Sequence, residues 1–158
     1  FNDNVTATAR VYYPEHPCLV EPDDFHTTTG LVVKTSSNGD GVYDTTWATA
    51  DYEPRPLNGI VDGQTGWPYR EIWGDGTLLF PTDARRAPVQ VTARWGWANV
   101  PTPIKQACLI VAHETYKLAT APFGVAGIGG DLGVLRVRDN PMAYKKLMPY
   151  IRSAILVA

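Results

Sequence analysis

Hydrophobic and polar residues alternate along several short segments in the first part of the chain, a spacing typical of half-buried β-strands. We predict strands at Val5–Tyr13, Thr27–Thr35, Val42–Ala48, Tyr69–Trp73, Thr77–Phe80 and Val89–Trp95. Between the second and third of these, Asn38–Gly39 and Asp40–Gly41 tolerate positive φ, which predicts a tight hairpin. The Pro- and Gly-rich stretch Asp51–Gly66 is predicted to be a loop, with a short helical turn near Leu57–Val61.

The period changes from two to about 3.6 residues after the Trp95–Gly96–Trp97 corner. Thr102 is the predicted N-cap and Pro103 the first residue of a helix that ends near Ala119–Ala121, before Pro122. Its predicted buried stripe consists of Ile104, Ala107, Cys108, Val111, Thr115 and Leu118, and Ile110 and Ala112 are predicted to widen it. This stripe makes Cys108 a small core residue, whereas Cys18 is predicted to be a free thiol. Asp139–Asn140–Pro141 is predicted to cap a last helix that runs through about Tyr150, with a kink at Pro149.

Strands come first and helices second, so the sequence predicts an α+β fold and not an alternating βαβ one. A glycine-rich arm at 123–133 separates the two helices, and the chain ends in the apolar tail Ile155–Ala158. Both features suit a protein that is held by its neighbours, because exposed apolar segments favour association.

Composition narrows the function further. The chain has 158 residues, 44% of them hydrophobic, which is enough for an ordinary folded domain. A formal net charge of −2 disfavours the coating of nucleic acid, which needs an excess of Lys and Arg. No run of eighteen apolar residues occurs, so no membrane span is predicted. No signal-peptide pattern is found, and we expect cytosolic synthesis.

Four patterns that resemble catalytic or ligand sites each lack an essential part. His113–Glu114 begins like a zinc-protease helix, but Lys117 stands where the second histidine would be. Asn38–Asp44 lacks the later carboxylate of a calcium loop. The glycine arm follows a helix instead of a strand, unlike a dinucleotide-binding turn. No serine motif of a hydrolase is present. We therefore expect no enzyme activity, no metal and no cofactor.

The five tryptophans support an alternative from another class, a carbohydrate-binding or adhesin module of a phage tail or secreted protein. That alternative predicts several coplanar tryptophan rings exposed in one cleft. The more common role of such residues is to fill a small β core or to anchor interfaces.

Taken in chain order, the motifs resemble one family. They are TARVYYP at Thr8–Pro14, TTTGLVVKT and NGDGVYDTTW between Thr27 and Trp47, ADYEPRPLN at Ala50–Asn58, VTARWGWANVPTPIKQACLIVA at Val91–Ala112 and APFGVAGIGGDLGVLRV at Ala121–Val137. Together with the last helix, this pattern resembles the head-to-tail adaptor (head-tail connector) proteins of long-tailed double-stranded DNA phages. Those adaptors usually carry one or two helices ahead of the first strand, whereas this chain starts at Phe1, shortly before its first predicted strand.

The resemblance implies a structural protein of the virion neck, made in the cytoplasm of the host bacterium. It implies a homo-oligomeric ring, typically a dodecamer, that binds the portal protein on one side and a stopper or tail-terminator protein on the other. Double-stranded DNA would pass through the lumen without sequence-specific binding during genome retention and ejection. No membrane is involved.

The resemblance also implies an organisation. A β-rich region, 1–97, is expected as an insertion in a small connector-type helical bundle, and 98–158 is expected to form the helical connector region with its arm and tail. The predicted interface residues are Phe123, Gly124, Val125, Gly127, Ile128, Gly130, Leu132, Ile151, Ile155, Leu156 and Val157. The predicted structural junction between the β region and the helix consists of Trp95, Trp97, Pro101, Ile104 and Val111.

Overall fold

The computed structural model describes residues 5–120 and 140–151. The chain divides into two compact units, Phe1–Asn99 and Val100–Ala158. The described part of the first unit contains two antiparallel sheets, and that of the second contains two α-helices. The predicted α+β class is therefore confirmed, whereas a connector-type helical bundle is not.

Seven strands and a short 3-10 helix occur in the described part of the first unit. The strands are β1 (Thr8–Tyr12), β2 (Leu19–Val20), β3 (Val32–Thr35), β4 (Thr45–Thr46), β5 (Tyr52–Arg55), β6 (Glu71–Gly74) and β7 (Val89–Ala93), and the 3-10 helix is Leu57–Gly59. One sheet has the order β1-β7-β3-β4 and the other the order β2-β6-β5. In the second unit, α1 is Thr102–Thr120 and α2 is Pro141–Leu147, continued by a 3-10 turn at Met148–Tyr150.

Strand β7 is the centre of the first sheet. Its residues alternate as predicted, with Val89, Val91 and Ala93 buried and the two residues between them half-buried. The same alternation places Trp95 on the buried side, where its indole N–H donates to the carbonyl of Thr8 at 2.9 Å. The pattern of β-branched residues thus fixes which face of the sheet meets the core.

Aromatic rings fill the space beside these strands. Phe25 stacks on Tyr69 at 5.3 Å and meets the edge of Trp95 at 6.2 Å between ring centroids. Trp47 stacks on Phe80 at 4.3 Å, and its indole N–H donates to the hydroxyl of Thr35 at 3.1 Å. Because the indole N–H groups of Trp47 and Trp95 both have hydrogen-bond partners, neither of these buried side chains loses hydrogen bonding on burial.

The predicted hairpin exists, but its loop is long rather than tight. β3 and β4 pair at Lys34–Thr46 and Thr35–Thr45, so the loop spans 36–44. Gly39 and Gly41 have the expected positive φ. The Asp40 carboxylate accepts from the Ser36 hydroxyl and from the Val42 backbone N–H. Because these side-chain bonds replace hydrogen bonds of the sheet, the strand predicted at Val42–Ala48 is reduced to β4.

Two predictions in the middle of the first unit are wrong. The stretch predicted as a loop contains β5, an edge strand that tolerates Pro54 because only one side of it needs ladder donors. Thr77–Phe80 is not a strand, because the Asp75 carboxylate accepts from both the backbone N–H and the hydroxyl of Thr77 and holds a turn there. Phe80 is buried all the same, and its backbone N–H donates to Pro17.

Strand β1 closes one edge of the first sheet with a charged residue. Arg10 lies opposite the buried Val91, pairs with Asp23 at 2.6 Å, and places its guanidinium 4.7 Å from the centre of the Trp95 ring. Tyr12, on the same side of the strand, donates its hydroxyl to Asp23 at 3.0 Å. Arg10 is exposed, and a charged residue on an edge strand discourages pairing with another sheet.

Gly59 tests whether the backbone after β5 needs a residue without a side chain. Its φ is +63°, and a Cβ there would lie 2.7 Å from the Trp67 carbonyl oxygen. We expect Gly59→Ala to lower the free energy of unfolding by roughly 2–4 kcal/mol, because the left-handed backbone and the steric overlap both cost energy. Gly63 has φ +75° with nothing within 4 Å, so Gly63→Ala should cost only about 1–2 kcal/mol. Urea unfolding followed by tryptophan fluorescence measures both, and equal losses would contradict the close approach at Gly59.

Tyr12 gives the first unit a dependence on alkaline pH. Burial, together with the charge of Asp23, raises the pKa of Tyr12 from 10.0 to about 12. The folded state therefore holds the phenolic proton more tightly than the unfolded chain. Its contribution to stability is complete below about pH 10 and is lost as the pH rises through about 12.

We expect Tyr12→Phe to make the decline in unfolding free energy between about pH 9 and about pH 12 shallower than in the wild type, since phenylalanine cannot ionise. Burial also raises the pKa of Tyr52, so part of the decline should remain. Tyr144→Phe, which changes an exposed ring of the second unit, is the control. Indistinguishable slopes for the wild type and Tyr12→Phe would contradict the prediction.

Candidate interaction surface

The second unit contains a pair of helices joined by polar contacts at both ends. The Asn140 side-chain amide donates to Glu114 Oε1, and Lys146 Nζ donates to Gln106 Oε1 at 2.7 Å. Residue numbers rise along α2 as those of their partners fall along α1, so the two helices are antiparallel. Asn140 also caps α2, accepting from the backbone N–H groups of Met142 and Ala143.

The fully buried apolar residues in the described part of the helix pair are small. Ala107 on α1 and Ala143 on α2 are the buried hydrophobic residues in the described part of this unit. Ile104, Ile110 and Val111 flank Ala107 and are half-buried. Alanines permit close approach but remove little apolar area from water, so the described helix pair has a small core.

Helix α1 carries a second apolar stripe on the side facing away from Ala107. At ~100° per residue, Leu109 and Tyr116 lie about 160° and 180° round the helix axis from Ala107. They are 70% and 69% exposed, and Cys108 and Ala112, which flank them, are exposed as well. A helix that is apolar on two opposite sides is typical of a helix that is covered on both.

Helix α2 and the turn after it carry a comparable surface. Tyr144 and Met148 lie about 100° and 140° round the axis from the buried Ala143, at ~100° per residue, and both are exposed. Ile151, next along the chain, is exposed too, while Met142 is exposed on the other flank of α2. The helix pair thus presents two apolar faces pointing in different directions: the α1 face (Cys108, Leu109, Ala112 and Tyr116) and the α2 face (Tyr144, Met148 and Ile151).

The predicted buried stripe of α1 is wrong in part. Ala107 is buried and Ile104, Ile110 and Val111 are half-buried, but Cys108, Ala112 and Thr115 are exposed. The side chain of Leu118 lies outside the part of the chain that the structure describes. The covered side of the helix is centred on Ala107 and includes Glu114, which accepts from Asn140. A polar contact with α2 therefore sets the rotation of α1. Cys108 is an exposed free thiol rather than a core residue, and Cys18 is a half-buried free thiol, as predicted.

The five predicted junction residues fall in both units. Trp95 and Trp97 belong to the first, where Trp97 donates its indole N–H to Asp24 at 3.2 Å. Pro101, Ile104 and Val111 belong to the second. The Pro101 carbonyl accepts from the backbone N–H groups at 104 and 105, so Pro101 takes the cap position and Thr102, the predicted cap, is the first residue of α1. That these two groups form one junction stays a prediction.

Of the predicted interface residues, Ile151 is described, and it is exposed. The others lie outside the described residues: Phe123, Gly124, Val125, Gly127, Ile128, Gly130, Leu132, Ile155, Leu156 and Val157. Four exposed apolar residues were not predicted from the sequence, namely Leu109, Tyr116, Tyr144 and Met148. The spacing of Leu109, Ala112 and Tyr116, three and then four residues, was the available signal for the α1 face.

The remaining candidate sites, for a metal and for a carbohydrate, are not assembled by the described residues. In residues 5–120 and 140–151, no group of three His, Cys, Asp or Glu side chains is placed to hold a metal. Trp47 and Trp95 are buried, the Trp73 ring lies 4.7 Å from the Arg55 guanidinium, and the rings of Trp67 and Trp97 are tilted by 57°. The five rings therefore do not form a coplanar exposed platform.

A scan against protein-family models, a search of curated proteins and a search of solved structures each found no match to this chain. Among the described helices, none combines the length and the apolar character that crossing a membrane requires.

Asn140 tests the contact between the two helices. We expect Asn140→Ala to lower the unfolding free energy of the helical unit by about 1–3 kcal/mol, because the helix cap and the bond to Glu114 are both lost. Asn140→Ser keeps a capping hydroxyl but cannot donate to Glu114 in the same way, so its loss should be smaller. Urea unfolding followed by far-UV circular dichroism compares the two. A serine variant as unstable as the alanine variant would show that the cap contributes nothing.

Proposed function

We propose that this protein is a structural component of the phage virion, a head-to-tail adaptor that forms a ring between the portal and the stopper or tail. The ring would continue the channel through which the genome is retained and then ejected. The proposal combines the sequence resemblance with the character of the helical unit.

The observation that carries the proposal is the pair of apolar faces on the helices. Leu109 on α1 and Met148 in the 3-10 turn after α2 are more than half exposed, although they stand beside other large apolar residues. Contiguous exposed apolar surface on a soluble protein marks a site of association. A subunit of a cyclic ring needs two different contact surfaces, because each copy meets one neighbour on each side. The α1 and α2 faces supply two such surfaces.

The β unit supports the proposal in another way. Its core contains buried residues from both sheets, including Val20, Val33, Ile72 and Val91. A module with its own core can present loops to a portal or tail protein without depending on that partner to fold.

The carbohydrate-binding alternative lacks a supporting observation of this kind. Its main requirement is exposed aromatic faces, and the faces of Trp47 and Trp95 are taken up by neighbouring side chains of the β unit. We therefore do not adopt it as a second proposal.

Electron microscopy tests the proposed assembly. The full chain, purified alone and with the portal of its phage, should give closed rings with rotational symmetry and a central channel that coincides with the portal channel. The subunit should also sediment as a large oligomer at micromolar concentration. A monomer that neither forms rings nor binds the portal, and whose tryptophan fluorescence is quenched by added polysaccharide, would overturn the proposal in favour of the alternative.

A further inference from the structure

We infer that Asn38 is a site of spontaneous deamidation in the folded protein, whereas Asn58 is protected from the same reaction by its surroundings. Each of these asparagines is followed by a glycine, the neighbour that favours the reaction most, and both are exposed. Exposure of the side chain therefore does not distinguish them, and the backbone around each glycine does. The inference concerns the β unit and does not depend on the proposed function.

The reaction joins two groups that every Asn–Gly pair carries. The backbone nitrogen of the glycine gives up its proton to solvent and attacks Cγ of the asparagine side chain, so that a new N–Cγ bond forms. The bond between Cγ and the side-chain nitrogen breaks, and that nitrogen takes up a proton and leaves as ammonia. Water then opens the five-membered imide at either of its carbonyl carbons, which gives aspartate or isoaspartate. Glycine permits this ring closure because no side chain hinders its nitrogen.

The backbone at Asn58 is turned the wrong way for ring closure. Its φ of 56° and ψ of 17° are left-handed. In that conformation Cβ lies beside the carbonyl oxygen of its own residue, so the nitrogen of the next residue is on the side opposite the side chain. The Gly59 nitrogen would have to swing round the Cα–C bond of Asn58 before it could reach Cγ.

Contacts on both sides of Gly59 oppose that rotation. Its N–H donates to the Pro56 carbonyl at 3.0 Å, and its carbonyl accepts from the Trp67 N–H at 3.0 Å. Gly59 is buried, and a Cβ there would lie 2.7 Å from the Trp67 carbonyl oxygen. Deamidation at Asn58 therefore requires local opening of this turn, and the reaction is slowed by the cost of that opening.

The backbone at Asn38 is held by a weaker bond. Asn38 lies in the 36–44 loop between β3 and β4, where the Gly39 N–H donates to the Ser36 carbonyl at 3.4 Å. This distance exceeds the ~2.7–3.2 Å that is typical of N–H···O bonds. Releasing the Gly39 N–H costs little, and turns between strands open more readily than paired strands do. The Gly39 nitrogen is thus the more accessible of the two attacking groups.

Deamidation would change both the charge and the length of the 36–44 loop. The loop already carries the carboxylates of Asp40 and Asp44, which accept from the hydroxyls of Ser36 and Ser37 at 3.1 Å. The product adds a third carboxylate at position 38. Isoaspartate in addition inserts a methylene group into the backbone that joins β3 to β4.

Site-resolved mass spectrometry tests the inference. The full chain is incubated in its folded state at mildly alkaline pH, with the fold checked by circular dichroism, and a parallel sample is incubated in urea. Both are digested at mildly acidic pH with a glutamate-specific protease, because cleavage after Glu53 places Asn38 and Asn58 on separate peptides. The rate at which each peptide gains its acid form is then compared between the two samples.

We expect Asn38 of the folded protein to convert at least about tenfold faster than Asn58, since Asn58 reacts only after local opening. The two rates should converge in urea, where neither turn is formed. Equal rates in the folded protein, or faster conversion of Asn58, would overturn the inference. Protection of both sites in the folded protein, with conversion of both in urea, would overturn it as well.

A substitution at position 38 provides the matched control. Asn38→Gln should abolish conversion in the first peptide, because glutamine closes a larger ring far more slowly, and should leave the rate at Asn58 unchanged. Gly39→Ala is less suitable, since Gly39 has φ +63° and a Cβ there would lie 2.8 Å from that of Ala84. Acid form that still accumulates at the same rate in the first peptide of Asn38→Gln would come from another residue and contradict the assignment.

Discussion

The packing of α1 against α2 leaves few apolar side chains fully buried in the described part of the helical unit. In the described part of that unit the buried hydrophobic residues are two alanines, each with a single methyl group. At ~0.8 kcal/mol per buried carbon group, these two methyl groups contribute about 2 kcal/mol, and the half-buried Ile104, Ile110 and Val111 add to it. Ordering even one residue of backbone costs about 1–2 kcal/mol. Polar contacts such as that between Asn140 and Glu114 fix the geometry of the pair but add little net stability. A helix pair of this kind gains most from surfaces that cover its outer faces.

The β unit has the opposite character. Phe25, Ile72 and Phe80 are almost completely inaccessible, and the sheet edges resist further pairing. Pro54 lies in an edge strand of one sheet, and the charged Arg10 lies in an edge strand of the other. Such features reduce association through strand edges. The chain therefore combines a β unit with a well-filled core and a helical unit whose described core is small, and exposed large apolar residues occur on both.

The sequence predicted the elements that depend on local periodicity. β7 and α1 each hold enough residues for the period to be recognised, and Asn140 lies at the start of α2 as expected. The errors arose where tertiary contacts override local pattern. β5 forms despite Pro54 because β6 pairs with it along its whole length, and Phe80 is buried without a strand. β2 is two residues long, too short for any period to be detected.

The misplaced face of α1 has a further meaning. Ile104 and Ala107 lie on one side of the helix and Leu109 and Tyr116 on the other, so two apolar stripes compete in the sequence. The expectation of one buried and one solvated side forces a choice between them, and that choice placed Cys108 inside. The partner helix settles the choice, because its Asn140 meets Glu114 and leaves the second stripe outside. When one helix carries two apolar stripes of similar size, the pattern does not indicate which side is buried, and this is itself informative. Such a helix is expected to be covered on both sides, and one short partner helix can cover only one of them.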